Sequence, residues 1–124
     1  MSDPGRLFLV VGPSGVGKDS LLDAARNHFR HDAGTIFPRR VITRPAEAGG
    51  EDHCSVDDAM FTKQLKDGAF ALHWVAYGLR YGVPVTVVND LDAGRNVVVN
   101  VSRTVIEDAR ARFRHVTVLS VMAD

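Results

Sequence analysis

Leu7-Phe8-Leu9-Val10-Val11-Gly12-Pro13-Ser14-Gly15-Val16-Gly17-Lys18-Asp19 is the stretch that decides the fold. Its five leading apolar residues read as a strand buried on both faces, the kind found inside a parallel sheet. The residues from Gly12 onward have the spacing of a phosphate-binding P-loop. Its glycines let the backbone curl so that successive N–H groups point inward at phosphate oxygens, and Lys18 supplies a mobile cation for the terminal phosphates. From Ser20 to Phe29 apolar residues recur at helical spacing. Strand, loop and helix therefore come in the order such a loop requires. Gly12, Pro13, Ser14, Gly15, Val16, Gly17, Lys18, Asp19 and Ser20 form the expected nucleotide-phosphate site. One position departs from the motif, because Asp19 stands where a serine or threonine is usual.

The chain has 124 residues, enough for one domain with a single sheet and helices on its faces. Its 15 Lys and Arg balance 15 Asp and Glu, giving formal net charge zero. No long-range field draws in nucleic acid or an anionic membrane, so the expected partners are small molecules recognised by local charge. The lone Cys54 excludes an internal disulfide, and nothing cationic converges on it to make it reactive. The apolar run near the N-terminus is too short for a signal peptide or a membrane span. These features predict a cytoplasmic protein.

Beyond the first helix, which the pattern ends near Arg30, residues 36–37 and 40–43 read as strand around Pro38, and residues 45–53 as loop. Ser55 with Asp58 three residues on resembles a capping box for a helix that runs to Lys66 and stops at Gly68. Residues 69–75 and 79–82 read as short strands around a turn. Pro84 is placed to open a helix that Gly94 closes, and residues 96–101 form a second buried strand. A further helix is expected from Thr104, capped by Glu107, followed by a strand over 115–121. Strands alternating with helices predict a doubly wound α/β fold with a mainly parallel sheet, whose ligands sit beyond the carboxyl ends of its strands.

Arg40 and Arg44 lie four apart on an expected strand, project from one face and could grip a phosphate with guanidinium forks, while Arg39 points the other way. On spacing alone a solvated basic strand end accounts for them equally well. Glu51 could orient a sugar hydroxyl, although the sequence unaided favours a solvated side chain. Tyr81-Gly82 places a phenol donor at a backbone turn, or else a core tyrosine at a sheet margin. His28 and His31 fit the end of a helix. His53 and His73 fall in segments that should face an acceptor pocket, with packing the simpler role for both. Arg110, Arg112 and Arg114 do not share one helix face and read as solvated.

The order of these motifs resembles the guanylate kinase superfamily. Within it, residues 18–20, 40–44, 48–53 and 78–83 (Lys-Asp-Ser, Arg-Val-Ile-Thr-Arg, Ala-Gly-Gly-Glu-Asp-His and Gly-Leu-Arg-Tyr-Gly-Val) resemble the ribose 1,5-bisphosphate phosphokinase family. That family uses ATP to convert ribose 1,5-bisphosphate into 5-phosphoribosyl 1-diphosphate (PRPP) during phosphonate breakdown. The resemblance covers essentially the whole chain. It implies a nucleotide-kinase-like P-loop NTPase domain over residues 1–124, with a small acceptor-binding insertion at about 38–83. It further implies ATP and Mg²⁺ as cofactors, Lys18, Asp19 and Arg44 as catalytic, Arg40, Arg44, Glu51 and Tyr81 as acceptor-binding, and a possible homo-oligomer.

Departures from guanylate kinases sharpen this. The glutamate that reads guanine there is matched by Leu72, and a serine or threonine after Tyr-Gly is matched by Val83. Arg40 replaces a serine, adding charge where base-reading groups are lost. The acceptor-loop tyrosine becomes His53. No aspartate ends the strand at residues 97–101, where Asn100 and Ser102 stand instead. Asp19, with Ser20 sharing the shell, would then hold Mg²⁺, since a carboxylate is a better ligand for that hard cation than a hydroxyl. Family members continue past the position of Asp124 with an arginine-bearing lid, a last strand and an adenine-facing segment. The remaining readings are a guanylate-kinase-like nucleoside monophosphate kinase and a non-catalytic nucleotide-binding remnant or scaffold.

Overall fold

In the computed structural model, residues 3–13, 17–45 and 53–122 are described. The opening apolar run forms β1 (Leu7–Val11), and it occupies an inner position of a wholly parallel sheet. Its partners are β2 (Thr35–Ile36), β7 (Asn96–Asn100) and β8 (Val116–Ser120), in the order β2-β7-β1-β8. Leu7 pairs with Val97 on one side and Val116 on the other, so β1 is hydrogen-bonded along both edges. That position explains why Leu7, Leu9, Val10 and Val11 are all buried. Strands lie on opposite sides of β1, and such a reversal opens a crevice at the carboxyl ends of the strands.

A second sheet, order β4-β3-β6-β5, is built from β3 (Val41–Ile42), β4 (Cys54–Ser55), β5 (Phe70–Ala76) and β6 (Leu79–Pro84). It falls in the stretch where the acceptor-binding insertion is expected. Helix α2 (Asp58–Lys66) covers it through Phe61, whose ring stacks on Phe70 with centroids 4.7 Å apart. The main core joins both sheets, since Leu7, Leu9, Val11, Val97 and Val99 pack in one cluster with Leu72, Trp74 and Val83. Helices α1 (Lys18–His28), α3 (Thr86–Asp92) and α4 (Ile106–Arg112) complete the fold. Among the described residues, no helix is long and apolar enough to cross a membrane.

Four local expectations are corrected. Helix α2 is capped by Asp57, whose carboxylate accepts from the Met60 N–H at 2.7 Å, because Ser55 is committed to pairing with Ile42 in β4. Pro84 ends β6 opposite Phe70, a strand-end position that needs no ladder donor, and α3 begins at Thr86. Gly94, at φ 85°, does follow the end of that helix as expected. The helix expected from Thr104 is preceded by a 3₁₀ turn, Arg103–Val105, because the Ser102 hydroxyl accepts from the Thr104 N–H and tightens the first turn; α4 proper starts at Ile106.

The fourth correction concerns the turn reading of Tyr81-Gly82: both residues lie inside β6, in keeping with the alternative reading of 79–82 as strand. The hairpin turn is Tyr77-Gly78, with φ of 56° and 72°, the pair of positive values that a two-residue type I′ connection demands. Gly82 answers to packing instead: a Cβ there would sit 2.5 Å from a ring carbon of Phe70. Gly82→Ala should therefore destabilise the fold by about 1–3 kcal/mol through overpacking. Urea denaturation measures this, and a loss below about 0.5 kcal/mol would show that Phe70 moves aside freely.

Candidate active site

A cleft of about 920 Å³ opens at the carboxyl ends of β1 and β7, between the two sheets. That lies at the upper end of the range for a single small-molecule site, roughly 300–1,000 Å³, and leaves room for two phosphorylated ligands to meet. A second, mainly apolar cavity of about 620 Å³ lies at the opposite ends of the strands, lined by Gly5, Phe70, Leu91 and Phe113 among others. It contains none of the sequence-assigned site residues.

One wall of the cleft is the start of the phosphate loop. Gly12, at φ 149°, leaves β1 so close to β8 that a Cβ would strike the Val121 carbonyl, and the Val121 N–H donates to the Val11 carbonyl at 2.9 Å. Only glycine fits there. Gly17, at φ 87°, precedes the first residue of α1. Lys18 folds back over the loop, and its Nζ donates to the Gly12 carbonyl at 2.7 Å. Gly12, Pro13, Lys18 and Asp19 line the cleft, whereas Ser20 is exposed and outside it. Ser14, Gly15, Val16 and Glu51 lie outside the described residues. Among the described residues no three or more His, Cys, Asp or Glu side chains form a metal-binding group. Asp19 alone supplies a carboxylate to the described lining, which suits Mg²⁺, an ion commonly held by one or two carboxylates together with substrate phosphates.

The facing wall carries the arginines. Strand β3 is only Val41–Ile42, so Arg40 precedes it and Arg44 follows it, yet both line the same cleft. Arg40 is more than nine-tenths buried, with its guanidinium 5.3 Å from the Tyr81 ring centroid and Nη1 3.4 Å from the Asn100 carbonyl. Tyr81 in turn stacks on Trp74, its cross-strand partner, with ring planes 1° apart. Arg39 is turned to another task, since it donates to the His53 carbonyl at 2.8 Å. The Arg44 carbonyl accepts from the Ser55 hydroxyl at 2.7 Å and from His53 Nε2 at 2.9 Å. A carbonyl can only accept, so Nε2 carries the proton there. His53 is buried and braces the turn that presents Arg44, while also lining the cleft. His73 is exposed and is not among the cleft residues.

Asn100 ends β7 beside Val10, buried and lining the cleft, so the strand next to the phosphate loop ends in an amide and not a carboxylate. Leu72 and Val83 are fully buried in the main core. Trp74, Tyr77 and Arg103 also line the cleft, and the sequence reading gave none of them a role. Trp74 shares its strand face with Leu72 at a spacing of two, a signal that was available. Arg103 follows directly after a strand carboxyl end, the place where ligands of this fold class gather.

The fold and site define a class. The structure matches that of a guanylate kinase from Anaplasma phagocytophilum with a TM-score of 0.74, covering 96% of this chain and 61% of that one at 21% identity. It is the P-loop kinase fold. No family model matches the chain. Individual relatives are more specific: a ribose 1,5-bisphosphate phosphokinase PhnN from Acidiphilium cryptum is 56% identical over 113 residues, 91% of this chain and 60% of that protein. The protein of the same name from Rhodopseudomonas palustris is 49% identical over 97% of this chain and 61% of its own length. A bifunctional ribose 1,5-bisphosphokinase-thymidine phosphorylase from Roseobacter denitrificans is 50% identical over 97% of this chain, which is 18% of that protein. Along nearly its whole length the chain is similar to ribose 1,5-bisphosphate phosphokinases. It spans about three-fifths of the length of the single-function relatives it matches.

Proposed function

We propose that the protein transfers the γ-phosphoryl group of ATP to the 1-phosphate of ribose 1,5-bisphosphate, giving 5-phospho-α-D-ribose 1-diphosphate (PRPP) and ADP in the cytoplasm. The observation that carries this reading is the composition of the cleft: a phosphate loop on one wall faces two arginines on the other, with no polar edge-reader at Leu72 or Val83. An oxygen of the 1-phosphate attacks the γ-phosphorus in line, and the bond from that phosphorus to the β–γ bridging oxygen breaks. The attacking oxygen is already anionic near neutral pH, so no general base is needed. Catalysis then rests on positioning and charge.

The amides of residues 12–18 and the Lys18 ammonium hold the donor phosphates, while Arg40, Arg44 and Tyr81 hold the acceptor within the segment at about 38–83. Arg44 also neutralises charge at the transfer point, and Glu51 orients a ribose hydroxyl. Asp19 would hold Mg²⁺, with Ser20 entering its shell only if the first turn of α1 adjusts. Bound there, the ion would supply positive charge to offset that of the donor phosphates.

The direct test incubates the full-length protein with ATP, Mg²⁺ and ribose 1,5-bisphosphate and follows ³¹P NMR. A new coupled diphosphate pair on the sugar, growing with ADP, is the expected result. ADP formation with no sugar diphosphate would overturn the assignment. In the same assay Asp19→Ala should raise the Mg²⁺ concentration for half-maximal turnover on the order of tenfold or more. Asp19 is exposed at a helix N-terminus, so its loss should lower stability by no more than about 1 kcal/mol. An unchanged Mg²⁺ titration would move the metal to another ligand.

A further inference from the structure

Arg103 lines the cleft but plays no part in the reaction as assigned above. It opens the 3₁₀ turn after β7, and its Nη2 donates to the Ser120 hydroxyl at 2.6 Å. Ser120 is the last residue of β8. Strands β7 and β8 are not neighbours, because β1 runs between them, with Val10 beside Asn100 and Val11 beside Ser120. A side chain that starts past the end of β7 and is tied to the end of β8 must therefore cross the carboxyl end of β1. Gly12 begins the phosphate loop at that point.

The tie to Ser120, between two exposed side chains, directs the guanidinium toward the end of β8 while occupying a single one of its donors, and a guanidinium carries five. Local charge points the same way. The described lining carries Lys18, Arg40, Arg44 and Arg103 against the single carboxylate of Asp19, in a chain whose formal net charge is zero. Such a concentration of cations matches a polyphosphate, since fixed guanidinium groups pair with phosphate oxygens through charge-assisted hydrogen bonds.

We propose that Arg103 is a phosphate-binding residue of this cleft, contacting the terminal phosphate of a polyphosphate held by the loop, with Ser120 as the positioning residue that braces it. The proposal rests on the phosphate-loop part of the reading above and is independent of the acceptor's identity.

Isothermal titration of the full-length protein with inorganic tripolyphosphate tests it, since that probe contains no acceptor and no base. Arg103→Gln keeps a donor for Ser120 but removes the charge, and should weaken binding about tenfold or more with little change in melting temperature. Arg103→Lys should recover part of that loss, and Ser120→Ala should weaken binding by a smaller factor because the guanidinium remains. Wild-type-like affinity in Arg103→Gln would overturn the proposal, as would failure of the unaltered protein to bind tripolyphosphate. A lowered melting temperature in both Arg103→Gln and Ser120→Ala with unchanged affinity would also overturn it, leaving the pair as a strand-end clasp. A protein that binds tripolyphosphate through Arg103 but yields no sugar diphosphate would uphold this inference while refuting the proposed reaction.

Discussion

Ribose 1,5-bisphosphate should be turned over with a kcat/KM on the order of 10⁴ above that for GMP, because the acceptor wall has lost the groups that pay a purine base for leaving water. Guanine presents several donors and acceptors on one edge. At the positions matched to base-reading residues in guanylate kinases, the chain carries Leu72 and Val83, both fully buried in the core. Where that wall meets the cleft it is lined by the stacked rings of Trp74 and Tyr81. Each buried polar group left without a partner costs about 1–3 kcal/mol, so three such groups reach the roughly 5.5 kcal/mol that a factor of 10⁴ requires. The bisphosphate suffers no such loss, because its second phosphate can meet Arg40 or Arg44, and Arg40 is held in a buried, pre-oriented pose over Tyr81. Initial rates with the two acceptors at fixed ATP and Mg²⁺ decide the point. Comparable efficiencies would mean that the cleft reads the base through residues other than 72 and 83, and the sugar-phosphate assignment would fall.

The phosphate-loop side of this picture was legible from sequence because each signal there is local. Five apolar residues followed by glycines at fixed offsets specify a buried strand and a curled backbone whatever the rest of the chain does. Gly12 shows the limit of even that reading, since its contact with the Val121 carbonyl depends on which strand lies beside β1. On the acceptor side, the pairing of Arg40 with Arg44 was anticipated on the wrong grounds. A spacing of four on a strand would have aligned them, whereas the strand is two residues long and the pair converges because chain enters and leaves β3 at the same cleft. The capping choices failed for a similar reason. Ser55 has good capping chemistry, but strand pairing with Ile42 claimed it first, and Asp57 took over the cap. Tyr81-Gly82 has the composition of a turn, yet cross-strand pairing with Trp74 and His73 holds it mid-strand. Strand pairing overrode local capping and turn chemistry in both cases. Arg103 stayed invisible because its place across the carboxyl end of β1 follows from the strand order β7-β1-β8, which no local pattern encodes.

Lys18→Met should lower kcat by about 10²–10³ while changing stability by no more than about 2 kcal/mol, a separation that distinguishes a charge used in the reaction from one used to hold the fold. In the structure the Lys18 ammonium donates to the Gly12 carbonyl, a neutral acceptor at the root of the loop, and the side chain is half-buried. Removing it leaves that carbonyl with one donor fewer, and a hydrogen bond from a charged donor contributes about 1.5–3 kcal/mol net, the lower end applying to a half-buried side chain. Charge building on the transferring phosphoryl group and its leaving oxygen is a larger demand. A cation fixed beside it in a site of low dielectric stabilises the transition state by roughly 2.7–4 kcal/mol, which is the factor of 10²–10³. Methionine keeps an unbranched apolar stem of similar length, so the packing along α1 is retained and the missing ammonium is isolated as the variable. Rapid-quench single-turnover rates report the chemical step, and thermal melts report the fold. If the rate falls by less than tenfold with the melt unchanged, the cation that matters is elsewhere in the cleft, and Arg103 becomes the first residue to substitute next.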